Sequence, residues 1–141
     1  MVNEVLNSIT QQLALIFGDS KKYYVEDVPQ GLAKDCFTID TIVPRERSKS
    51  PILYDNTIPI VIHYFNGTKE YKKIGYTIAE QVIECLEYLP FGNTILRGED
   101  ISWQFVEDVL QIFITYRFTT KRIVETENME DLVQNESKVK D

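Results

Sequence analysis

The strongest constraint on the fold is a period-two alternation of apolar and polar side chains across residues 101–120. Two runs of apolar side chains each share one side, with Phe113 as an exception: Ile101, Trp103 and Phe105, then Leu110, Ile112, Ile114, Tyr116 and Phe118. This pattern predicts two half-buried strands joined by a tight acidic turn at Glu107 and Asp108. Because a hairpin alone is marginally stable in water, the rest of the chain must cover its apolar face.

Two amphipathic helices are predicted to provide that cover. Their apolar side chains recur at three- and four-residue steps: Val2, Val5, Leu6, Ile9, Leu13, Ile16 and Phe17, then Tyr71, Ile74, Ile78, Val82, Cys85, Leu86 and Leu89. Asn3 is the predicted N-cap and Gly18 the C-cap of the first helix. Pro90 and Gly92 are predicted to end the second helix. Gly75 inside it costs about 1 kcal/mol against alanine, which indicates either close packing or a later helix start.

Further strands are predicted on both sides of the second helix. They cover residues 22–28, 35–43, 58–65 and 93–97, and residues 98–100 turn into the hairpin. The order predicts an α+β domain, with two helices packed on a mostly antiparallel twisted sheet that carries a long hairpin loop. We expect residues 1–124 to form this single domain. Residues 125–141 are expected to form an acidic C-terminal tail, either disordered or docked on a partner.

The charge of the chain argues against general affinity for nucleic acids or membranes. The 141 residues carry 15 basic and 22 acidic side chains, a net charge of −7. Residues 125–141 contribute six acids and two bases, a net charge of −4. An acidic chain is repelled by phosphate backbones. No apolar run approaches the ~20 residues of a membrane span, and the first residues lack the basic region of a secretory signal.

A long connection at residues 44–57 is the first candidate for a functional segment. It carries Arg45, Arg47 and Lys49 within five positions and is long for a loop in a compact domain. One interpretation is a solvated hairpin tip. The other is a basic arm that reaches an acidic partner. Three basic side chains on an acidic chain make only a weak footprint for nucleic acid.

No motif in the sequence predicts catalysis, a cofactor or a metal. The sequence holds no nucleotide-binding, metalloprotease or nucleophile-elbow motif. Cys36 and Cys85 form no CxxC pair and are expected to be reduced core thiols. His63 is the single histidine, and an ordinary strand position is its expected role. A pairing of Glu26 and Asp27 with a metal lacks a third ligand placed by the sequence.

Several segments together resemble the phage tail terminator family found in prophages and tailed phages of Gram-positive bacteria. The best markers are Val28-Pro29-Gln30-Gly31, Ile62-His63-Tyr64-Phe65 and Leu96-Arg97-Gly98. The resemblance runs from about Val2 to Phe118, and none of its markers is a catalytic signature.

This resemblance implies a structural virion protein with a tail-terminator-like fold and no enzymatic activity. Such proteins form a homo-oligomeric ring, usually a hexamer, that caps the tail tube protein at the head-proximal end of the tail. The ring then joins the neck or connector protein and, in contractile tails, the sheath protein. DNA only passes through the lumen, and assembly takes place in the cytoplasm of the bacterial host.

The family resemblance supplies no contact residues, so the interface is predicted from the charge and position of side chains. The predicted interface residues are Arg45, Arg47, Lys49, Tyr54, Arg97, Arg117, Glu125 and Glu127. Two alternatives stay open: another neck or tail-completion protein of similar fold, and a small nucleic-acid-binding regulatory domain.

Overall fold

A computed structural model describes residues 1–25, 35–67 and 69–122 of the chain. The elements follow in the order α1 (Val2–Phe17), a 3-10 turn (Gly18–Ser20), β1 (Lys22–Val25), β2 (Cys36–Thr41), β3 (Arg45–Ser48), β4 (Leu53–Phe65), α2 (Tyr71–Leu86), β5 (Tyr88–Phe91), β6 (Thr94–Val106) and β7 (Val109–Lys121). The predicted α+β class, with two helices on one sheet, is confirmed within these ranges. Glu26 and Asp27, the acidic pair that lacks a third metal ligand in the sequence, lie outside them.

The strands form one mixed sheet in the order β1-β2-β4-β7-β6-β5 within the described ranges. β1 lies parallel to β2, a pairing that the sequence did not predict, whereas the other pairs are antiparallel. β3 pairs with the first residues of β4, beyond the point where β2 ends. The 13-residue strand β4 is therefore central, as its doubly apolar sequence predicts.

Both helices pack on the same face of the sheet, which we call the helix-bearing face. The alternate residues of β7 that were predicted to share one side point into this core, and Leu110, Ile112, Ile114 and Tyr116 are buried there. The core also holds Val5, Leu6, Ile9 and Leu13 of α1 and Ile78, Val82 and Leu86 of α2. The opposite side of the sheet, which we call the second face, carries the other set of alternating side chains.

The hairpin at the centre of the prediction is confirmed. β6 and β7 meet at Glu107 and Asp108, whose backbone φ angles are +49° and +70°. Two positive φ angles in a two-residue connection give the turn a twist that matches the right-handed twist of the strands. The predicted start of the hairpin is wrong, however. The turn predicted at residues 98–100 is a register shift between Glu99 and Ser102 inside the continuous strand β6.

The structure corrects several predictions for the ends and the buried residues of the helices. Asn3 is inside α1, whose N-cap is Met1, and Ile16 is exposed rather than buried. α2 ends at Leu86, so Pro90 does not stop a helix. Leu89 belongs to β5 and is buried from that strand. Gly18 has the positive φ expected of it, +65°.

Pro59 lies in the middle of β4. A proline is tolerated there because it lies where the neighbour of β4 changes from β2 to β3. Its carbonyl accepts hydrogen bonds from the Ile42 amide at 2.9 Å and the Thr41 hydroxyl at 2.8 Å, where β2 has just ended. The amide position of an antiparallel residue faces the same neighbour as its carbonyl, so the donor that proline lacks faces the break between β2 and β3.

Candidate interface

The predicted long loop folds into a three-stranded extension of the sheet, which we call the arm (residues 45–57 and 117–122). β3 pairs with β4 so that Arg45 lies opposite Thr57 and Arg47 opposite Asp55. β4 pairs on its other side with the end of β7. The connecting loop is thereby shortened to residues 49–52, and the prediction of a long loop is corrected.

Local hydrogen bonds explain why this segment forms a hairpin. The amides of Lys49 and Ser50 donate to the Leu53 carbonyl at 2.8 and 3.2 Å. The Ser50 hydroxyl accepts from the amides of Ile52 and Leu53 at 3.3 and 3.1 Å. Serine side chains that bond nearby backbone groups stabilise tight turns. The arm is thus an ordered extension of the sheet in which all four β3 positions are exposed.

Three of the predicted interface residues come together on the second face of the arm. Arg45, Arg47 and Arg117 line one shallow hollow of about 690 Å³. The strand register explains this, because Arg117 lies opposite Thr57, which in turn lies opposite Arg45. The four residues of β3 are exposed, so the guanidinium groups of Arg45 and Arg47 are accessible to another molecule. Guanidinium groups engage carboxylates with paired hydrogen bonds. The same hollow is also lined by the acidic residues Glu46 and Asp55.

Arg117 is held at the base of the arm by two acidic side chains. Its guanidinium donates to Glu99 at 2.9 Å and to Asp100 at 2.8 Å. The hydrogen bond to Glu99, followed by the one to Asp100, raises the pKa of this guanidinium. The two acids belong to the register shift in β6, where Asp100 has a positive φ of +51°. This irregularity therefore places both carboxylates on one arginine.

Arg45 and Arg47 differ from Arg117 in having no such partner within the described residues. The third basic residue of the segment, Lys49, lies 3.8 Å from Asp55, a carboxylate that also accepts from the Thr119 hydroxyl at 2.8 Å. The guanidinium groups most available to another molecule are thus the two on the edge strand β3.

Tyr54 lies on the helix-bearing side of the arm and is not part of the arginine hollow. Its ring lies under the Arg122 guanidinium, 4.2 Å from the ring centroid. Arg122 also pairs with Glu46 of β3. Behind them, the buried Asn56 donates to the Thr120 hydroxyl at 2.9 Å. These contacts fasten the three strands of the arm to one another, so Tyr54 stabilises the arm.

The other predicted residues lie apart from the hollow. Arg97 is exposed on β6, opposite Tyr88 of β5. Glu125 and Glu127 fall outside the residues that the structure describes. The sequence interpretation missed Glu46, Asp55 and Arg122, which build the arm. A signal was present, because the alternation Arg45, Glu46, Arg47 followed by a turn is typical of an exposed strand.

The described residues contain no group of three or more His, Cys, Asp or Glu side chains that could hold a metal ion. Burial lowers the pKa of His63, which lies on a strand as expected. Burial raises the pKa of Cys85 to about 11, which keeps this thiol protonated near neutral pH. In the same part of the chain no helix is long and apolar enough to cross a membrane.

Comparison with known proteins identifies the family of this chain. An exposed arm and a family of structural tail components point to an assembly protein. The family described as "Phage tail terminator protein" matches residues 4–129. The match covers most of the chain, and the protein belongs to this family. It is therefore a structural component of a phage-type tail, and the virion is its location.

A solved structure has the same fold. A chain from the structure described as "Virion of native gene transfer agent (GTA) particle" superimposes with a TM-score of 0.52 at 16% sequence identity. The alignment covers 84% of this chain and 95% of the other. A second solved chain, at 8% identity and a TM-score of 0.39, is too dissimilar to support an argument. A search among curated protein sequences found no significant match.

Proposed function

We propose that copies of this chain form a ring, most simply a hexamer, that caps the head-proximal end of the tail tube and ends its polymerisation. The observation that carries this proposal is the family match over residues 4–129. The likeness in fold to a chain of a virion particle supports it. The ring also supplies the surface that joins the neck or connector and, in a contractile tail, the end of the sheath.

The shape of the chain supports a ring with unlike neighbouring surfaces. A ring built head to tail needs two different surfaces on each subunit. This chain offers the arm at one end of the sheet. Away from the arm it offers helix α1, whose single charged residue is Glu4. Surfaces depleted in charge are typical of the buried centre of an interface.

Ending a polymer requires that one side of the ring resemble a tube subunit and that the other side reject further tube subunits. The two faces of this sheet differ, since helices cover one of them within the described residues and the arginine hollow lies on the other. We propose that one of these sides binds the tube and the other the neck. The net charge of −7 on each copy lets DNA pass through the lumen without binding to its wall.

The test is the length of tails assembled without this protein. Removing its gene from the particle that encodes it should give tubes of variable, extended length without heads attached. Restoring the gene should restore one length. Tubes of normal length that lack heads would instead assign the chain to a neck or completion role. Normal particles with altered gene expression and salt-dependent DNA binding would favour the regulatory alternative.

A further inference from the structure

The charge of the chain is divided between two segments that are complementary. The arm, residues 45–57 and 117–122, has six basic side chains against two acidic ones, a net charge of +4. The segment that follows it, residues 123–141, has six acidic side chains against two basic ones, a net charge of −4. The basic arm and the chain's own terminal segment therefore carry charges of equal size and opposite sign.

We propose that the acidic segment 123–141 of one copy docks on the arginine hollow of the arm of the adjacent copy, and that this exchange joins neighbours in the ring. The inference rests on the proposed ring function. The hollow supplies Arg45 and Arg47, and the docking segment supplies Glu125 and Glu127 as its first carboxylates.

The direction of the last strand favours a neighbouring copy over the same copy. β7 runs toward the tip of the arm, where Lys121 lies opposite Leu53 and the Arg122 amide donates to the Ile52 carbonyl at 2.8 Å. The chain therefore leaves the arm at its tip. Arg45 lies at the opposite end of β3, opposite Thr57, so the same copy's segment would have to reverse direction to reach it.

The two sides of the arm point to the same conclusion. The Arg122 side chain lies on the helix-bearing side, over Tyr54 and paired with Glu46. Arg45 and Arg47 line the hollow on the second face. The described chain thus reaches the tip of the arm at Arg122, whose side chain lies on the side that does not carry the hollow. Nineteen residues span up to about 60 Å when extended, which is ample to reach an adjacent subunit.

The chemistry of the contact predicts how it responds to salt. Guanidinium groups bind carboxylates by paired hydrogen bonds, and Arg45 and Arg47 are exposed. Exposed ion pairs are individually weak and are screened by salt. Several such pairs per subunit, repeated around a closed ring, make assembly sensitive to ionic strength. We therefore expect the oligomer to dissociate at a lower protein concentration in low salt than in high salt. Without this docking the two concentrations should be about equal.

Charge reversal tests the inference. Arg45→Glu/Arg47→Glu reverses the hollow, and Glu125→Lys/Glu127→Lys reverses the docking segment. Light scattering then gives the molar mass of each full-length chain. For a chain that assembles only on tubes, microscopy counts the capped tube ends. Each variant alone should assemble about tenfold more weakly than the wild type, the effect expected of two lost exposed pairs.

Mixing the two variants distinguishes neighbours from self. In an alternating six-membered ring, each reversed hollow meets a reversed segment and each original hollow meets an original segment. The mixture should therefore recover wild-type assembly. Recovery in the chain that carries all four changes, but not in the mixture, would place each segment on its own arm and overturn the inference.

Two controls keep the result specific. Lys72→Glu/Lys73→Glu makes the same change in charge at exposed positions of α2 and should leave assembly unchanged. Arg45→Gln/Arg47→Gln weakens the hollow without placing a new carboxylate opposite Asp55, and thermal unfolding checks that each variant is folded. If the wild type forms a ring and every variant assembles as well as the wild type, the docking inference is overturned but the ring is not. A wild-type chain that neither assembles nor caps tubes overturns the ring as well.

Discussion

The Tyr116 hydroxyl is a buried polar group that ties the sheet to the end of α2. The residue is fully buried and donates to the Leu86 carbonyl at 2.6 Å, at the end of α2. Tyr116→Phe leaves that carbonyl without its donor, so we expect the free energy of unfolding to fall by about 1–2 kcal/mol. Urea denaturation measures the change. Tyr88→Phe, at a side chain that is 57% exposed, is the matched control and should shift stability by less than about 0.5 kcal/mol. Equal effects for the two changes would contradict this role.

Residue identity alone predicted which side chains of β7 are buried, but not which bonds their polar atoms make. The alternation of Ile112, Ile114 and Tyr116 sufficed because a strand exposes successive residues to opposite faces. The partner of the Tyr116 hydroxyl lies 30 residues away, on a helix whose end was predicted three residues too late. Distant pairs of this kind depend on the packing of whole elements.

At the level of the elements, α2 approaches β6 most closely at Gly75. A Cβ added there would lie 2.6 Å from two atoms of the Phe105 ring. We expect Gly75→Ala to destabilise the fold by about 1–2 kcal/mol, because the cost of overpacking exceeds the gain in helix propensity. In a Phe105→Leu background the same change should be neutral or stabilising. Thermal unfolding of the four chains measures the coupling. A stabilising Gly75→Ala in the wild-type chain would contradict the close approach.

The turn between β6 and β7 is strained by its sequence. Glu107 and Asp108 both have positive φ, a conformation that asparagine and glycine adopt more readily. Glu107→Asn/Asp108→Gly should therefore raise the free energy of unfolding by about 1 kcal/mol. Chemical denaturation measures it. A loss of stability would show that the acidic side chains contribute contacts of their own.

The elements that the sequence predicted well are those with long, regular patterns. Both helices and the hairpin have apolar spacings that only one secondary structure explains. The errors concern short or irregular elements. β3 and β5 have four residues each, too few for a period to be read, and Pro90 in β5 resembles a helix stop. The register shift of β6 looks like a turn because Gly98, Glu99 and Asp100 are turn-forming residues.

For the whole molecule, buried titratable groups predict a stability maximum between about pH 6.5 and 9. Burial lowers the pKa of His63 below its usual 6.5. Below that pH the unfolded chain binds more protons than the folded chain, so stability falls as the pH falls. Burial raises the pKa of Cys85 to about 11 and raises those of Tyr64 and Tyr116. Above about pH 9 the unfolded chain releases protons first, so stability falls as the pH rises.

Melting temperatures measured across this range test the prediction. The variant His63→Gln should lose the part of the acid decline that begins near the usual histidine pKa of 6.5. The alkaline decline should be unchanged in that variant. A wild-type chain that is most stable in acid would contradict the assignment of burial as the main cause.

The candidate interface was predicted only in part. The basic residues of the arm were identified from their density in a long segment, and three predicted arginines do line one hollow. Their arrangement depends on the pairing of β3, β4 and β7, in which Thr57 and Arg117 are 60 positions apart in the chain. The register places Tyr54 on the other side of the arm, outside the hollow, and its predicted role in an interface stays a prediction.

The most direct test of the ring is the size and location of the purified chain, measured by light scattering and negative-stain microscopy, alone and with its tube protein. We expect closed rings, or caps of this chain at one end of each tube. Addition of the chain to growing tubes should stop their elongation from that end. A monomer that never binds a tube, or binding along the whole length of tubes, would contradict the proposed ring.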